Sequence, residues 1–167
     1  MSYLKYYQKE NEEYPIENKK WYCEEEQIKK LVKNFCAQYL VPKDKFNPNS
    51  IVWNKKNNSG HIAGGPSRMT LHLPRCRTCS IGLLMHELGH ILEFVKYGKA
   101  GHNNKHKRQM KSLIGWCRRE EYFRKYCYVN PDYTPPEKEA KKEKEQEVID
   151  TLLPKLKAAL NQMEKQK

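Results

Sequence analysis

His86, Glu87 and His90 spell HExxH inside the stretch GLLMHELGHILEFVK, residues 82–96. On a helix, positions four apart share a face, so the two imidazoles reach one metal ion while Glu87 flanks it. Zinc takes neutral nitrogen donors at about 2.0–2.1 Å in a tetrahedral shell and leaves one position to water when it catalyses. Glu87 would then stand beside that water as general base. The same five letters also arise by chance on surface helices, and the surroundings decide between the two. Ile81, Leu84, Met85, Leu88, Leu92 and Val95 recur at helical spacing as a broad apolar stripe. The segment therefore reads as a buried helix that turns its histidines toward a cleft.

A third ligand has to come from elsewhere in the chain. His102 sits in a loop twelve residues after His90, where a helix-loop-helix turn returns the chain to the metal. His106, one helical turn later, competes for that place or packs behind it as outer support. Glu93 lies one turn past His90 on the histidine face, where it either orients a ligand or is simply solvated. For stabilising an oxyanion, the candidates are His106, Tyr97 and Tyr126.

The elements that must position these groups follow from periodicity and punctuation. Residues 1–22 are polar and tyrosine-rich with Pro15 interrupting, and read as an irregular arm. Residues 24–40 form an amphipathic helix with Pro42 beyond its end. Asn47 to Ser50 reads as a turn, Ile51-Val52-Trp53 as a short strand, and Ile62-Ala63 as another. In RMTLHL, residues 68–73, Met69, Leu71 and Leu73 alternate with polar neighbours as in a half-buried strand. That strand is either the sheet edge to which an extended peptide adds or a plain sheet strand. His72 points with its polar face. Residues 105–119 form a second helix with Met110, Leu113, Ile114 and Cys117 inward. From Asn130 a proline-rich linker leads to a charged tail in which Ile149, Leu152, Leu153, Leu156, Leu160 and Met163 make one apolar stripe. The predicted organisation is an arm at 1–22, a domain at 23–130, and a linker with a charged helical tail at 131–167. The strand-helix-helix order predicts an α+β fold with a small sheet packed on the metal helix.

The 167-residue chain carries a net charge of +12. Residues 96–125 hold ten Lys and Arg against two Glu, whereas residues 136–167 are nearly balanced. A basic surface concentrated beside the candidate site predicts a polyanionic partner. Lys105, Lys107, Arg108, Lys111, Arg118 and Arg119 lie on or near one helix, and Trp116, Tyr122 and Phe123 supply rings for unpaired bases to stack on. DNA or another nucleic acid is thus an expected partner, beside a protein substrate. The opposing reading is that the rings are core and the lysines solvate the surface.

No stretch resembles a signal peptide or a membrane span, so an intracellular, cytoplasmic protein is expected. There the six cysteines remain thiols rather than a disulfide framework. Cys76 and Cys79 form a CxxC, but a structural zinc site needs four ligands, and Cys117 with Cys127 lacks knuckle spacing. Two small residues in the loop entering the metal helix is the plainer reading.

Together these pieces resemble the SprT-like zinc metallopeptidases, intracellular and often DNA-associated proteins whose eukaryotic members degrade proteins crosslinked to DNA. The likeness covers residues 51–112: Trp53 after a short strand, the small-residue loop at 60–65, RMTLHL, LLMHELGH and GHNNKHKRQM. In that family the third ligand is a histidine after glycine, with an aromatic four residues on and often a methionine four further. His102, His106 and Met110 take those places. The resemblance implies a zincin-like fold, Zn2+ held by His86, His90 and His102, and Glu87 as the catalytic glutamate of a metalloendopeptidase. HELGH also occurs in the ImmA/IrrE-like peptidases that act on repressors, whose third ligand is a later glutamate, here Glu120 or Glu121. A non-catalytic, zinc-stabilised nucleic-acid-binding module is the remaining alternative.

Overall fold

The structure, a computed structural model, describes residues 3–55, 60–65, 68–134, 146, 149 and 152–154. Two compact units divide the chain, Met1–Pro131 and Asp132–Lys167. The described residues of the first form a mixed α+β assembly with two three-stranded sheets. In the second, Ile149, Leu152 and Leu153 are exposed, while Leu156, Leu160 and Met163 of the expected stripe lie outside the described residues. No helix among the described residues is long and apolar enough to cross a membrane.

The centre of the first unit is helix α4 (Ile81–Tyr97), buried along nearly its whole length. Ser80 caps it, its Oγ accepting from Leu83 N at 3.2 Å, and Gly98 closes it with φ 71°, a left-handed conformation that glycine adopts without strain. Ile81, Leu84, Met85, Leu88 and Ile91 are fully buried, and Leu92 nearly so. They meet helix α5 (Asn104–Arg119) on one side and strands on the other. A helix enclosed in this way must be apolar on most faces, so the polar residues it buries, His86, Glu87, His90 and Glu93, need partners inside the protein.

One sheet holds strands β2 (Phe46–Trp53), β3 (His61–Gly65) and β4 (Arg68–Leu73) in the order β2-β4-β3. Strand β4 alternates as expected, with Met69, Leu71 and Leu73 buried, but it is the central strand and not an edge. The edge beside α4 is β3, which pairs antiparallel with β4, His61 opposite His72. Because β2 runs parallel to β4, both edges of that strand are already hydrogen-bonded. Residues 47–50, expected as a turn, belong to β2 and absorb a register shift between Phe46 and Ile51.

The second sheet joins strands β1 (Trp21–Glu24), β5 (Thr78–Ser80) and β6 (Tyr128–Val129) in the order β5-β1-β6. Cys79 therefore lies in a strand, opposite Cys23, while Cys76 is exposed. Among the described residues, the CxxC pair joins no group of three potential metal ligands. Cys23 instead meets Cys127, their sulfurs 2.7 Å apart, and Cys117 contacts Met85.

Helix α3 (Glu25–Gln38) packs its Ile28, Leu31, Val32 and Phe35 face inward, as its periodicity predicts. The N-terminal segment corrects the sequence reading. Residues expected to be an irregular arm form helices α1 (Tyr3–Glu13) and α2 (Pro15–Lys19), which belong to the same compact unit. Tyr14 between them is buried, as are Glu10 and Glu17. Their anchors are ionic: Glu13 pairs with Lys107 at 2.8 Å and Glu17 with Arg118 at 2.6 Å. Among the side chains described in this segment, Tyr14 is the one buried apolar residue, too little for hydrophobic periodicity to reveal.

Candidate metal centre

Consecutive turns of α4 bring His86 and His90 together, and the loop after Gly98 returns His102 to them. His86 Nε2 lies 3.0 Å from His102 Nε2 and 3.2 Å from His90 Nε2. Zinc bound tetrahedrally at about 2.0–2.1 Å sets its nitrogens about 3.3 Å apart, so the spacing and the all-imidazole donor set fit such an ion. Burial pushes His86 down to about 4 and His90 down to about 2, His90 also repelled by the neighbouring imidazoles. His102 is shifted the same way, mainly by burial. Neutral rings with lone pairs are what a metal requires. His90 Nδ1 is buried with no hydrogen-bond partner among the described residues.

His106 is also close. His86, His90 and His106 are buried and offer ligand atoms within 4.8 Å of one another, so these three histidines are positioned to bind a metal ion. The two possible trios share His86 and His90 and differ in the third member. His106 Nε2 lies 2.9 Å from the backbone oxygen of His86, to which an N–H there donates, and its ring stacks on His90 at 3.9 Å. A nitrogen that donates to a carbonyl has no lone pair for a metal, so His106 would ligate through Nδ1, whereas His102 meets His86 Nε2 with its own Nε2. Gly89 makes the His106 contact possible: a Cβ there would stand 3.1 Å from His106 Nε2.

The loop carrying His102 is held from below by Glu93. Its Oε2 accepts from Gly101 N at 2.9 Å and its Oε1 from Asn103 Nδ2 at 2.6 Å. Asn103 at the same time caps α5, its Oδ1 accepting from the backbone of Lys105 and His106. Glu93 thus fixes the residues on both sides of His102.

Glu87 faces a cleft of about 230 Å³ lined by His61, Ile62, Met69, His90, Gly101 and His102, among others. Burial, reinforced by the Glu10 carboxylate, pushes Glu87 up to about 8, against the opposing hydrogen bond from the Ile62 backbone. A cation beside it would favour the ionised form. Gly60 covers Glu87 closely, a Cβ there falling 3.2 Å from Glu87 Cγ.

Two residues in this region escaped sequence reasoning. His61, on edge strand β3, lines the cleft and stacks on His72 with ring centroids 4.5 Å apart. The second, Glu10 of α1, is buried with Oε2 2.7 Å from His86 Nδ1. Desolvation pushes Glu10 up to about 7 although His106 and His102 pull the other way. No local pattern marks either residue.

Other expected roles do not assemble here. Tyr97 lies under Lys105, 4.2 Å from Nζ to the ring, and the Tyr126 hydroxyl accepts from Asn34. Neither lines the cleft. Glu120 and Glu121 are exposed at the far end of α5, Glu120 about 21 Å along the axis from His106 at 1.5 Å per residue. Lys105, Lys107, Arg108, Lys111, Arg118 and Arg119 are all exposed on α5, but Lys107 and Arg118 are engaged by Glu13 and Glu17. Trp116 is buried at 2% exposure and, with Tyr122 and Phe123, packs into or against the core. It therefore offers no stacking platform.

Compared with models of protein families, with curated proteins and with solved structures, the chain matches none.

Proposed function

We propose that the chain is a zinc-dependent metallopeptidase in which His86, His90 and His102 hold the ion and Glu87 is the general base. The observation that carries this reading is that His86 Nε2 lies within 3.2 Å of Nε2 of both His90 and His102, beside a buried carboxylate at an open cleft. A site that only stabilises the fold has no need of Glu87 there. A bound zinc ion supplies polarisation of the scissile carbonyl and a water pKa lowered toward about 7. Glu87 takes the proton from water and delivers it to the leaving amine. The edge of β3 runs along the cleft and offers its backbone to an extended peptide, with His61 and Ile62 beside the bound chain. The exposed basic residues of α5 support nucleic acid as the agent that brings protein substrates to the cleft.

The test compares wild type with Glu87→Gln on a basic DNA-bound protein and on self-cleavage, with zinc content measured in both. The variant is expected to keep its zinc and lose about 10²–10⁴-fold in rate. Equal cleavage by both would remove Glu87 from the chemistry. Zinc-loaded wild type that binds DNA and cleaves nothing would instead establish a non-catalytic, zinc-stabilised binding module.

A further inference from the structure

The N-terminal helix places a carboxylate behind a candidate ligand. Glu10, at 7% exposure, sets Oε2 2.7 Å from Nδ1 of His86, itself 1% exposed, across 76 residues of sequence. Its Oε1 has no hydrogen-bond partner among the described residues. Burying a carboxylate with half its acceptor capacity unused is costly, and folding alone gives no reason for it. The histidine supplies one. An imidazole that donates Nδ1–H to a carboxylate keeps its lone pair on Nε2 and is held in a single ring orientation. The Nε2 so fixed is the atom that meets His90 and His102.

We propose that Glu10 is a positioning residue of the metal centre, orienting His86 through Nδ1, and that helix α1 is thereby a working part of the site. This rests on the metal-centre reading above. Glu10 does not line the cleft beside Glu87, so it acts through His86 and not on substrate. The segment that carries it is fixed to both helices of the site. Glu13 reaches Lys107 on α5, and Glu17 accepts from Arg118 farther along the same helix. Asn18 Nδ2 donates to the Glu10 backbone oxygen at 3.3 Å. The Asn18 side chain also fills the space over Gly82, where a Cβ would fall 1.8 Å from its Oδ1. Helix α2 is thus seated on the first turn of α4, one turn before His86.

The experiment measures zinc dissociation constants of the full chain against a chromogenic chelator, with the His86 Nδ1–H followed by NMR in the zinc form. Glu10→Ala is expected to weaken zinc by about 10–100-fold and to lose the protected Nδ1–H signal. Glu10→Gln has nearly the same shape and retains an acceptor oxygen, so it should keep that signal and lose less affinity. Circular dichroism of the metal-free forms separates this from misfolding: a positioning role leaves the metal-free spectrum of Glu10→Gln unchanged, since the amide keeps an acceptor for His86 Nδ1. Zinc bound within about twofold of wild type by both variants, or equal losses in both with the Nδ1–H unchanged, would overturn the inference. Wild type that binds no zinc, or His86→Ala that binds it as well as wild type, would overturn the metal-centre reading itself. The two failures are therefore distinct.

Discussion

Glu93 and Asn103 are joined by a 2.6 Å hydrogen bond that ties the fourth turn of the metal helix to the cap of the next one. With the Gly101 amide on its other oxygen, Glu93 brackets His102 from both neighbours. Glu93→Ala should free the loop and weaken zinc by about 10-fold, the low end of what outer-shell losses cost. Glu93→Gln, which keeps one acceptor oxygen, should fall between. Chelator competition reads both, and unchanged affinity in Glu93→Ala would make the bracket structural only.

The third ligand is decided by comparing His102→Ala with His106→Ala. Loss of His102 should leave two imidazoles and remove stoichiometric zinc binding. Loss of His106 should leave the three Nε2 atoms in place, weaken zinc less, and destabilise the fold by opening a cavity behind His90. Metal analysis with thermal unfolding of the metal-free forms separates the two. The reverse order of zinc loss would assign the ligand to His106.

Gly89→Ala sets two known effects against each other. Alanine in a helix interior gains about 0.5–1 kcal/mol over glycine. Overpacking a filled core costs about 1–3 kcal/mol, and the atom in the way, His106 Nε2 at 3.1 Å, is held on the His86 carbonyl. The clash should win, lowering the Tm by several degrees. A raised Tm would show that His106 yields.

Nucleic-acid binding is tested on Arg108 and Lys111, exposed on α5 and outside the ion pairs to Glu13 and Glu17. Reversing both to glutamate should weaken DNA binding and reduce the slope of log K against log salt by about 2, the number of phosphate contacts removed. Zinc content should not change. An unaltered slope would place any DNA contact elsewhere.

Local sequence determined the helix that carries His86, Glu87 and His90, because its apolar residues recur at period 3.6 over about four turns, long enough to specify a buried helix. It also determined the buried alternation of β4, written in RMTLHL, and the inward face of α5 at Met110, Leu113, Ile114 and Cys117. Tertiary structure alone decided which strand is the edge, since β2 reaches β4 in parallel through a long connection that leaves no mark on either strand. It decided that Trp116 is core although its neighbours on α5 are basic. It also decided that Glu10, in a segment with no apolar periodicity, stands behind His86. Hydrophobic burial repeats along the chain and can be read from it. A hydrogen bond between residues 76 positions apart has no period, and only the folded protein brings its two ends together.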